Sequence, residues 1–164
     1  MNLQKFKECL DTINENDLNT LANIIKNARH IILLGNGGSN AISCHIAQDY
    51  TKALGKKALC FGDSSRLTCY ANDYGWDLAY KKFLEQFAEE DTVVVLMSSS
   101  GNSQNILNCA EYCVGKHQMV TLSGFSPHNL LKTHYGTKSL HFYVPSNDYG
   151  IVECLHELIL HSVI

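Results

Sequence analysis

Five short apolar, β-branched runs alternate with segments of helical period, and this alternation constrains the fold more than any other feature. The runs are HIILLG (30–35), KALCFG (57–62), DTVVVLMS (91–98), HQMVTLSG (117–124) and SLHFYVP (139–145). The middle three are nearly continuous in apolar residues, the pattern of parallel strands covered on both faces. Helical period occupies 38–54, 76–89, 103–115 and 126–134. Two amphipathic segments, 2–14 and 17–28, precede the first run, and a last helix is expected over 150–163. Alternating strand and helix predicts an α/β fold, a doubly wound parallel sheet with right-handed crossovers.

The 164 residues suit one domain, 1–164, and a hydrophobic content of 45% excludes a disordered chain. A net charge of −3 gives no general basic field for holding nucleic acid. No apolar run reaches the ~18 residues of a membrane span, and MNLQKFKECLDTINENDL lacks the apolar core and cleavage site of a signal peptide. Seven cysteines occur without a CxxC pair. They read as small buried hydrophobes in a reducing compartment rather than as a zinc site. The expectation is a cytoplasmic protein.

In such a sheet, ligands bind at the carboxyl ends of the strands. Two loops there are rich in Gly, Ser and Asn: Gly35-Asn36-Gly37-Gly38-Ser39-Asn40 and Ser98-Ser99-Ser100-Gly101-Asn102-Ser103. The second sets four hydroxyls where a helix begins. Free backbone amides and the helix dipole suit a phosphate there without any lysine. The first loop lets a ligand approach the backbone closely. It is neither GxGxxG nor a Walker A loop, so no nucleotide cofactor is expected. The loop after the second run leads to Ala71-Asn72-Asp73-Tyr74-Gly75. His45 and Asp49 stand i, i+4 on one helix face. By themselves they suit a metal or a substrate, and equally a solvated surface pair. His156 and His161 lie about 140° apart around the last helix, so a given site takes one of them.

Together, GNGGS, a histidine seven residues after Gly38, Asn72-Asp73, SSSGNS, and a last helix with two histidines five apart resemble one family. It is the phosphoheptose isomerase branch of the sugar isomerase (SIS) domain family, and the resemblance runs from the N-terminal helices to His161. It implies a single SIS domain: a five-stranded parallel sheet in a flavodoxin-like αβα sandwich, with the helices of 1–28 serving a homotetramer. It implies substrate binding by Asn36, Gly37, Gly38, Asn72, Asp73 and Glu153, and phosphate binding by Ser98, Ser99, Ser100 and Ser103. It gives Asp49 and His161 the catalytic roles and implies a zinc ion on His45, Asp49, Glu153 and His161. The chain departs from that branch twice, with Asp49 where glutamate is usual and Glu153 where glutamine is usual. Glu153 and His161 are separated by about 12 Å along a continuous helix. Either Glu153 precedes the helix or the site is shared between subunits. The implied activity converts sedoheptulose 7-phosphate to D-glycero-D-manno-heptose 7-phosphate, a precursor of lipopolysaccharide or capsule. The alternative is a non-catalytic SIS module that binds a replication-initiation protein or senses a phosphosugar. The presence of His161 argues against it.

Overall fold

The computed structural model of the chain describes residues 2–164. Two helices, α1 (Leu3–Leu10) and α2 (Glu15–Asn27), precede β1 (His30–Leu34). Then follow α3 (Gly38–Leu54), β2 (Lys57–Cys60), α4 (Ser64–Tyr74), α5 (Trp76–Phe87) and β3 (Val93–Ser98). The rest is α6 (Gln104–Cys113), β4 (Gln118–Ser123), α7 (Leu130–Tyr135), a single 3-10 turn (Gly136–Lys138), β5 (Leu140–Tyr143) and α8 (Tyr149–His161). All strand pairs are parallel, in the order β2-β1-β3-β4-β5. This is the five-stranded flavodoxin-like sheet the sequence predicts.

Side-chain alternation along the strands divides the core between two faces. Ile31, Leu33, Val93 and Val95 pack under α2, α3 and α8 with Leu21, Ile46, Tyr50, Ile159 and Leu160. Ile32, Leu34, Val94 and Leu96 pack under α5 and α6 with Tyr80, Phe83, Leu84 and Ile106. Each fully buried Leu, Ile or Phe contributes roughly 1.5–3 kcal/mol relative to exposure. A third cluster joins Cys9 of α1 to Val144, Ile151, Val152 and Leu155. It ties the N-terminal helix to the start of α8.

Three expectations change. β2 is not covered on both faces: it is the sheet edge, with Lys57 and Leu59 exposed and Ala58 and Cys60 half-buried. β1 takes the fully buried place beside β3 instead. Residues 64–74 are helical rather than loop, begun by the Asp63 carboxylate accepting from the Arg66 amide at 2.7 Å. Of the seven cysteines, only Cys9, Cys109 and Cys113 are buried; Cys44 and Cys60 are half-buried, and Cys69 and Cys154 are exposed.

α3 and α8 run side by side in one direction. Gly38 faces Glu153, His45 faces Glu157, and Asp49 faces His161. The Tyr50 hydroxyl, buried in the same seam, donates to the Leu160 carbonyl at 2.8 Å.

Candidate active site

The strand order reverses between β1 and β3, and the loops that leave these two strands diverge there. They enclose a cavity of about 250 Å³ lined by Asn36, Gly37, Gly38, Ser98, Ser99, Ser100, Ser103, Tyr149 and Glu153, with Ser39. Ligands bind at this switch point in open α/β sheets. Gly37 caps α3 at φ 55°, ψ −120°, a conformation that side chains rarely adopt. A Cβ on Gly38 would collide with the Glu153 carboxylate, so the glycine lets α8 close the pocket wall. Burial pushes the Glu153 carboxyl up from its ordinary value.

The serine hydroxyls bond chiefly within their own loop. Ser103 is the N-cap of α6, yet its hydroxyl caps no amide; it accepts from the Ser98 hydroxyl at 3.1 Å. Ser98 Oγ also accepts from the Gly101 amide at 3.1 Å, and Ser100 Oγ from the Asn102 amide at 3.2 Å. The Ser99 hydroxyl is buried with no protein partner. These hydroxyls and the open first turn of α6 make a compact anion cradle. Two asparagines join the loops: the Asn36 amide donates to Asn105 Oδ1 at 2.9 Å, and the Asn105 amide to Asn36 Oδ1 at 2.8 Å. Asn105 was not legible as a site residue, since its partner lies 69 positions away.

Further down the α3–α8 seam, His45, Asp49 and His161 bring three ligand atoms within 4.8 Å of one another. Asp49 Oδ2 stands 3.2 Å from both His45 Nε2 and His161 Nε2. Glu157 orients both rings. Its carboxylate accepts from His45 Nδ1 at 2.8 Å, and its backbone carbonyl from His161 Nδ1 at 3.1 Å. Those partners place a proton on Nδ1 of each ring, and Nε2 of each ring faces the Asp49 carboxylate. The three ligand atoms lie close enough together to share one divalent cation. The donor set of two imidazoles and one carboxylate suits zinc, with an open coordination position. Glu157 is the residue that sequence reasoning passed over, because its spacing to His161 looks like any surface pair.

Glu153 does not join this cluster within one chain. It lies within α8, two turns before His161, on the wall of the serine pocket. Asn72 and Asp73 also stand apart: both are exposed on α4, where the Asn72 amide donates to Asp73 Oδ1 at 3.0 Å. His156 is fully buried, with Nε2 3.3 Å from the Ser123 carbonyl, and burial lowers it to about 4. A second histidine–carboxylate group sits at the opposite end of β1. There His30 contacts Asp91 at 3.0 Å and Glu89 at 3.1 Å.

The sequence pattern of the SIS domain matches residues 3–122. The phosphoheptose isomerase of Fusobacterium nucleatum is 31% identical over 149 residues, covering 88% of this chain and 75% of that protein. The phosphoheptose isomerase of Pectobacterium atrosepticum is 34% identical over 110 residues, covering 63% of this chain and 57% of that relative's length. Among solved structures, phosphoheptose isomerase GmhA from Neisseria gonorrhoeae superposes with a TM-score of 0.88 at 23% identity, over 98% of this chain and 89% of that one. That likeness carries the fold. No helix among the described residues is long and apolar enough to cross a membrane.

Proposed function

Because the chain belongs to the SIS domain family, in its phosphoheptose isomerase branch, we propose that it is an aldose–ketose isomerase of phosphosugars. Its substrate is sedoheptulose 7-phosphate and its product D-glycero-D-manno-heptose 7-phosphate. The observation that carries this reading is the convergence of His45, Asp49 and His161 on one point below a serine-lined anion cradle.

The reaction moves a proton between neighbouring carbons through an enediolate. It needs a base, an acid and a means of holding the developing oxyanion. The serine loop and the first turn of α6 hold the phosphate. The Glu153 oxygens and the Asn36 loop accept from and donate to sugar hydroxyls. Asp49 takes the proton from the carbon beside the carbonyl, and His161 serves as its acid partner. His45, Asp49 and His161 would hold zinc, which when bound polarises the carbonyl as a Lewis acid; a metal-bound Asp49 oxygen or His161 nitrogen is not free to move a proton, so the two roles compete. Asp49 has one methylene fewer than glutamate, which withdraws the carboxylate by about 1.5 Å, one carbon–carbon bond.

Gly38 and His45 are seven residues apart on α3, or about 10 Å along its axis. One subunit therefore holds its cradle and its cluster apart. This separation supports a homotetramer with shared sites, in which the Glu153 pocket of one subunit completes the cluster of another.

Zinc-loaded protein incubated with sedoheptulose 7-phosphate should yield the aldose phosphate, read by anion-exchange chromatography and carbon NMR of the product. Folded, metal-loaded protein that leaves the ketose unchanged would reject the assignment. The non-catalytic alternative predicts that outcome together with retained phosphosugar binding.

A further inference from the structure

Cys44 of α3 and Cys60 of β2 approach each other with their sulfur atoms 3.1 Å apart. The proposed isomerase chemistry uses neither. Both side chains are half-buried, and a groove lined by Gln48, Thr51, Ala58 and Leu59 opens beside them. Gly62 presses against the pair: a Cβ there would collide with Cys44 Sγ and stand near Cys60 Sγ. The remaining gap exceeds the ~2.05 Å of a disulfide by only about 1 Å. Rotation of two side chains on adjacent elements closes it.

We propose that Cys44 and Cys60 form a dithiol that closes to a disulfide when a small-molecule disulfide such as oxidised glutathione is supplied. The thiolate of Cys44 attacks one sulfur of the oxidant. The oxidant's sulfur–sulfur bond breaks, one thiol leaves, and a mixed disulfide remains on Cys44. Cys60, its proton given to water, attacks the Cys44 sulfur and expels the second thiol. Two protein thiols lose two electrons, the oxidant gains them, and the two protons end on the departing thiols. Burial pushes the Cys60 thiol up to about 12, so Cys60 is the second of the two to react. In a reducing compartment the glutathione pool keeps the pair open, and an oxidative shift closes it. Closure fastens the edge strand to the turn of α3 that carries His45, since Cys44 directly precedes that residue.

The full-length protein is reduced, freed of reductant, treated with oxidised glutathione without denaturant, alkylated and digested. The expected result is a peptide pair joined through Cys44 and Cys60, about 2 Da lighter than the two thiol peptides together, and separated again by dithiothreitol. Cys69 and Cys154, both exposed, carry glutathione instead and act as internal controls. In Cys60→Ser, Cys44 should stop at the mixed disulfide; in Cys44→Ser no link should form. Recovery of alkylated Cys44 and Cys60 while Cys69 and Cys154 are modified would overturn the proposal. So would linkage of either residue to a different cysteine. Neither result depends on the isomerase reading, which a separate turnover assay tests.

Discussion

His45 and His161 reach the same oxygen of Asp49 because Glu157 holds each ring by its far nitrogen. Removing such an outer partner typically costs 10–100-fold in metal affinity. Glu157→Gln should therefore weaken zinc binding by about that factor while the circular dichroism spectrum stays unchanged. His161→Ala should lower bound zinc further and remove nearly all isomerase turnover. Competition with a chelator measures the first effect, and unaltered zinc affinity in Glu157→Gln would sink the account. This part of the site was half legible. The i, i+4 spacing of His45 and Asp49 is visible along the chain, whereas the 112-residue separation of His45 from Glu157 is bridged only by folding.

At the scale of elements, α8 carries two histidines with opposite surroundings. His161 is half-exposed beside a carboxylate, and His156 is fully buried and neutral. Desolvation holds His156 at about 4, and His141 of β5 is likewise lowered to about 4. An unfolded histidine titrates near 6.5. Between pH 6.5 and 4 the unfolded chain therefore binds protons that the folded chain refuses, and stability falls as pH falls through that window. His156 alone should account for ~2 kcal/mol of loss at pH 5 relative to pH 7. Urea midpoints at the two pH values read this directly. His156→Asn should flatten the dependence, leaving the share due to His141, and an equally steep profile in the variant would contradict the assignment. Most elements were legible because apolar period reports burial. α4 was not, since none of its residues is fully buried and its apolar stripe is short, with only Leu67 and Tyr70 packed against the core. The edge position of β2 was equally hidden, because an apolar run does not say how many neighbours a strand has.

For the whole molecule, large apolar side chains stay exposed on the helices: Leu3, Trp76, Leu78 and Leu158 are 71%, 48%, 41% and 39% accessible. Such surfaces suit subunit contacts. Light scattering should report four times the 18.3 kDa chain mass. A sharper test mixes inactive variants. If each site combines Glu153 from one subunit with His161 from another, co-expressed Glu153→Ala and His161→Ala chains should recover activity in roughly a quarter of sites by random pairing in a symmetric assembly. Hybrids as inactive as their parents would indicate that each subunit works with its own residues.

The anion cradle has one consequence that concerns its surroundings more than its chemistry. Its lining holds hydroxyls, glycines, an asparagine and one carboxylate, Glu153, and no lysine or arginine. A phosphate held by fixed short-range donors gains little from long-range attraction, so dissolved ions have little to screen. Recognition at this end of the substrate should therefore persist at ionic strengths that would strip a phosphate from a lysine-built pocket.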